Sequence, residues 1–180
     1  TRRLALAGMG CGAAGLAARA GAAGEALLSP RSMAEDVALL ARAYRLLHPG
    51  LLRYNSPAAT DARIAALAQA TSAPMSLPAF YLLLSRFLGA VRCGHSFVNP
   101  ANQSKAVTAA LFGAADRVPL EFAWIGDAMV VTRDPFGTGI APGSRIVSID
   151  GRPAAAILAM LMPLARADGG NDAKRRRLLS

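Results

Sequence analysis

The chain changes its hydrophobic period once, and that change limits what it can fold into. In the first half, apolar residues recur three and four apart. Val37, Leu40, Tyr44 and Leu47 form one such row, and Leu77, Tyr81, Leu84, Leu88 and Val91 form another, widened by Phe80 and Phe87. Ile64 and Leu67 mark a shorter helix between them. From Val118 the period drops to two: Leu120, Phe122 and Trp124 alternate with Glu121 and Ala123. A 3.6-residue period gives a helix one apolar stripe, and a two-residue period gives a strand one apolar face. The chain therefore reads as α+β, with a three-helix bundle over residues 32–92 that hides the stripes, followed by an antiparallel sheet. Hydrophobic content of 53% against 17% charged residues supports a folded chain, although alanine makes up much of the apolar count.

Local signals set the boundaries. Ser32 and Glu35 have the S-x-x-E spacing of a capping box, and His48-Pro49-Gly50 ends the first helix. Ser56-Pro57 and Ser76 with Pro78 open the second and third. Residues 93–117 read as a connecting segment with at most one helical turn near Ala106–Phe112. Gly126-Asp127 suits a hairpin turn, with Met129–Thr132 as the return strand. In "RIVSIDGRP", residues 145–153, a short strand stops at the turn pair Asp150-Gly151, and Pro153 suits the first turn of a helix over Ala154–Met162. Residues 118–170 thus form one module, and residues 171–180 begin a further helix.

The first residues have the layout of an export signal. Arg2 and Arg3 precede a small-residue apolar segment, and Ala18-Arg19-Ala20 fits a small-x-small cleavage site, so residues 1–24 read as a leader and 25–31 as a linker. Two adjacent arginines also suit twin-arginine export. The expected location is periplasmic or secreted, with membrane contact only in transit. Removal of the leader, and Cys11 with it, makes Cys93 a lone thiol. The net charge of +9 draws on arginines in the leader and on "KRRR" at 174–177, with no basic stripe interleaved with aromatics, so nucleic acid is not an expected partner.

No complete active site is legible. G-x-S-x-G, H-E-x-x-H and a phosphate-cradling glycine loop are all absent from the sequence, and the two lysines, Lys105 and Lys174, lie in polar surroundings unsuited to a lysine base. Two histidines far apart in sequence argue against a metal site, and no cofactor is expected. His95 follows a glycine where the helical half gives way to the sheet half, so it is the candidate general base; a turn-fixing hydrogen bond is the competing role. Ser96 is adjacent and points to the opposite face on extended backbone. Cys93 suits packing better than nucleophilic attack, and His48 suits a helix C-terminus without further function.

The run Gly143-Ser144-Arg145-Ile146-Val147-Ser148-Ile149-Asp150-Gly151 resembles the middle of a PDZ-like fold, with Ser144 in place of the usual aspartate. Such folds capture extended peptides by strand addition, so Gly143, Ser144, Ile146 and Ile149 are candidate peptide-binding residues. Four pieces taken in order resemble the N-terminal region of the tail-specific, or C-terminal processing, serine peptidases, including their tricorn-like branch. They are Glu35–Tyr54, "PMSLPAFYLLLSRFLGAV" at 74–91, "CGHS" at 93–96 and "PGSRIVSIDGRPAAAIL" at 142–158. The resemblance implies a helical region and a PDZ-like module ahead of a catalytic α/β domain. It places His95 at the tricorn-like base, and makes peptide or unfolded protein the substrate. Residues 1–180 contain no segment suited to the nucleophile, so the fragment alone is expected to be inactive, its partner being a catalytic domain downstream in the parent. The alternative is a non-enzymatic peptide-binding or scaffold protein of the cell envelope.

Overall fold

The computed structural model describes residues 3–6, 27–114 and 117–180, the first of these as backbone. The chain is α+β and divides into two compact units. One comprises Ala22–Ala114 with Arg166–Gly170; the other comprises Thr1–Gly21, Ala115–Ala165 and Asn171–Ser180. Among the described residues no helix is long and apolar enough to cross a membrane.

The helical unit opens with α1 (Pro30–Leu47). Its cap is Ser29, not Ser32: Ser29 Oγ accepts the Ser32 N–H at 3.1 Å. Proline is at home in a first helical turn, where its missing N–H costs nothing, so the helix begins one residue after Ser29. Ser32 turns its hydroxyl back to the Ser29 carbonyl at 3.0 Å, and Glu35 pairs with Arg31 at 3.0 Å instead of closing a capping box. Helix α2 (Pro57–Ala70) is capped by Ser56 and α3 (Leu77–Val91) by Ser76, where the sequence places them. Met33, Val37, Ile64, Leu67, Phe80 and Phe87 join one core. On α3 the deepest positions are Phe80, Phe87, Leu88 and Val91, while Leu77, Tyr81 and Leu84 are half-buried. The large rings take the interior because they remove the most apolar area from water. Helix α4 (Lys105–Phe112), capped by Ser104, is longer than the single turn expected there; Tyr81 meets Phe112 edge-on at 5.6 Å.

In the other unit, β2 (Glu121–Ile125), β3 (Ala128–Arg133), β4 (Arg145–Ile149) and the short β5 (Arg152–Pro153) pair antiparallel in chain order. Trp124, Met129, Val131 and Ile146 point to one buried face, against Ala154 and Leu158 of α5 (Ala154–Leu161). Asp150 and Gly151 both have positive φ, 49° and 75°, the pairing a two-residue hairpin of type I′ requires and the reason Asp-Gly suits it. Pro153 therefore ends β5 and caps α5 from outside, where its expected place was inside the first turn. A 3₁₀ turn (Met162–Leu164) and α6 (Asp172–Leu178) complete the unit.

The sequence gives no hint of β1 (Arg3–Leu6), which lies parallel to β4 with Arg3 beside Arg145 and Leu6 beside Ile149. Ser148 and Ile149 also pair with β5, so β1 occupies the opposite edge of β4. The rest of the expected export signal, the cleavage site and Cys11 included, lies outside the described residues.

Candidate functional site

The helical unit contains a pocket of about 1060 Å³ between the end of α1 and the turn after α3. Helix α1 positions its first wall. Tyr44 stacks on His48, the C-cap residue, with ring centroids 5.2 Å apart and planes 14° from parallel. Tyr44 also meets Phe87 edge-on at 6.3 Å, which ties that wall to α3. The second wall begins where α3 stops: Arg92 adopts a left-handed conformation with φ 62°, and a turn closes from the Cys93 carbonyl to the Ser96 N–H at 3.1 Å. Arg166–Gly170 supplies the third. The Gly169 N–H donates to the Arg92 carbonyl at 3.0 Å, and Asp168 Oδ1 accepts the Gly94 N–H at 2.7 Å.

Hydrogen bonding fixes the protons on the first wall. The Gly50 N–H donates to His48 Nδ1 at 3.2 Å, so that nitrogen carries the lone pair. The neutral ring then bears its proton on Nε2 and donates it to Ser96 Oγ at 3.1 Å. Ser96 is buried and also bonds the Tyr44 phenol. His48 is thus the donor to Ser96 and does not draw off its proton, so the pair is a structural lock and not an activated nucleophile. A place at a helix C-terminus accounts for His48 in the sequence without further function, and a partner 48 residues away leaves no local signal.

Burial pushes the Tyr44 phenol above its ordinary value of 10.0; the Ser96 hydrogen bond acts the other way, and the Cys93 thiol adds to the rise. The folded state therefore favours the neutral phenol. This contribution is fully present below pH 10.0 and is lost as pH rises through the raised folded value. Alkaline titration followed by ultraviolet absorbance is expected to show a tyrosine ionising later than free tyrosine, a step that Tyr44→Phe removes. A wild-type titration unchanged by that substitution would refute the assignment.

His95 is exposed and projects from the same turn. The ligand atoms of Cys93, His95 and Asp168 all lie within 4.8 Å of one another. An imidazole beside a carboxylate can act as a base with its orienting partner. A thiol, an imidazole and a carboxylate converging on one point can equally hold a cation. Histidines distant in sequence argue against a metal site, but this cluster needs only one histidine, and in the sequence Asp168 reads simply as part of the turn "RADGGND". Nothing local signals that this turn returns to Gly94, 74 residues earlier.

The candidate peptide-binding residues lie in the sheet unit and are differently engaged. The Gly143 N–H donates to the Val131 carbonyl at 2.8 Å, and the Ser144 carbonyl accepts the Val131 N–H at 2.9 Å, so these groups are committed to β3. The Ile146 side chain is core, 1% exposed. Ile149 is half-buried and, with Ile146, offers its backbone to β1. No family model, curated protein or solved structure matches the chain.

Proposed function

We propose that this chain is the N-terminal, substrate-handling portion of an exported serine peptidase. In this reading residues 32–92 are a three-helix bundle acting as scaffold, and the sheet is a PDZ-like module that grips extended peptide. The nucleophile belongs to a catalytic domain outside these residues. One observation carries the grip: the outer edge of β4 takes a strand, since β1 pairs with Arg145, Ile146, Ser148 and Ile149, passing over Val147 at an irregularity. An edge of unpaired N–H and C=O groups binds extended backbone of many sequences, which suits a protease handling unfolded substrates. Residues 3–6 lie within the expected leader, so its removal bares the edge. The grip then falls to the backbone of Ile146–Ile149, with the backbone of Gly143 and Ser144 left to β3.

The test is hydrogen exchange with a fluorescent apolar peptide, on the whole chain and on a version starting at residue 25. The shortened chain is expected to bind more tightly and to protect the amides of residues 145–149. Protection confined to other segments, or equal binding by both chains, would sink the grip. Labelling of the chain by a fluorophosphonate probe would contradict the absence of a nucleophile, and peptide binding without any cleavage by the parent would favour the scaffold alternative.

A further inference from the structure

We propose that Cys93, His95 and Asp168 form a binding site for a soft divalent cation, with Zn2+ as the fitting ion. Three observations converge. The first is the donor set. Ligand atoms of a thiol, an imidazole and a carboxylate all lie within 4.8 Å of one another, so one ion would draw three chemically suited donors together. Sulfur and imidazole nitrogen select zinc over calcium or magnesium, which take oxygen.

The second is how the donors are held. The turn from Cys93 to Ser96 carries two donors, two positions apart, whose ligand atoms come within 4.8 Å of each other. Asp168 is anchored twice, by the Gly94 N–H on Oδ1 at 2.7 Å and by the neighbouring Gly169 N–H on the Arg92 carbonyl at 3.0 Å. Arg166 adds a third fixture, its guanidinium stacked 3.3 Å from the Phe97 ring centroid. Outer hydrogen bonds of this kind orient metal ligands before the metal arrives.

The third is charge and access. Arg53 and Arg92 line the same pocket, a setting that resists a bare cation. A thiolate and a carboxylate together cancel the two charges of Zn2+, so the loaded centre presents no net charge to those arginines. His95 and Asp168 are exposed, which leaves an entry path, and three protein ligands leave a fourth position open to the pocket for water or a substrate oxygen. Binding converts the Cys93 thiol to thiolate with release of its proton to solvent, so affinity rises with pH. The site uses none of the β4 edge and stands or falls apart from the peptide grip.

The test uses the whole chain, reduced and stripped with chelator, titrated with Zn2+ by calorimetry and with Co2+ by absorbance. The expected result is one ion per chain and, for Co2+, the intense near-ultraviolet band of a thiolate ligand. Cys93→Ser abolishes that band, and His95→Ala or Asp168→Asn each weakens Zn2+ affinity by about 10–100-fold or more. Glu35→Gln, exposed on α1 and outside the pocket, leaves the band in place. Circular dichroism of each variant separates lost ligation from lost folding. A chain that takes up no Zn2+ overturns the proposal. So does binding that survives both His95→Ala and Asp168→Asn, since a thiol acting alone explains it.

Discussion

Replacing Trp124 with alanine is expected to destabilise the sheet unit by about 3–5 kcal/mol, the range for emptying a large aromatic position. Trp124 is 8% exposed and stands in the core formed with Met129, Val131 and Ile146. It also closes the C-terminal end of the unit. Its indole N–H donates to the Leu179 carbonyl at 2.9 Å, its backbone N–H donates to Ser180 Oγ at 3.2 Å, and its ring meets Phe122 edge-on at 6.0 Å. Truncation thus opens a cavity and leaves the Leu179 carbonyl without the indole. Trp124→Phe retains most of the ring and removes only the indole bond, so its expected cost is smaller, about 1 kcal/mol for the bond plus a minor packing loss. Urea denaturation followed by circular dichroism measures both, since fluorescence from the sole tryptophan disappears with the substitution. A loss below about 1 kcal/mol for Trp124→Ala would show that the unit does not depend on this seal.

Gly169→Val is expected to destabilise the helical unit by about 3 kcal/mol, combining backbone strain with overpacking. Gly169 sits at φ 56°, a region where a β-branched residue is strained. A Cβ there meets the Tyr54 ring at 3.3 Å. The chain relieves both by lifting the Asp168–Gly169 turn, which breaks the bonds to Gly94 and Arg92. Gly170→Val is the control, because a Cβ at Gly170 meets nothing within 4 Å. Thermal melting reads the stability, and Zn2+ titration reads whether Asp168 has moved. Equal behaviour of the two variants would refute the role of the turn.

The parts legible in the sequence are those governed by neighbours. Ser56 and Ser76 cap helices where a small polar residue precedes a proline-containing first turn, and the alternation around Trp124 marks its strand. Asp150-Gly151 is legible because few pairs accept positive φ twice. The Ser32–Glu35 spacing misled because Ser29-Pro30 offered a better start one turn earlier. What stayed hidden depends on residues distant in the chain. Parallel pairing of β1 with β4 leaves no alternation signal in four residues, and the leader-like composition points elsewhere. His95 was visible as a histidine in a glycine turn, whereas its neighbour Asp168 arrives from a segment whose own pattern is only that of a turn.

That late segment bears on the order in which the molecule matures. As the polypeptide emerges from the ribosome, α1 to α4 are all available once residue 112 has been made. The pocket then still lacks the wall carrying Asp168, which is synthesised only after every strand of the sheet. Contacts spanning 74 residues form slowly because a long loop must close first. A nascent chain therefore passes through a stage with helices α1 to α4 assembled and its cation-ligating corner incomplete, which delays ion capture until residues 166–170 have been made.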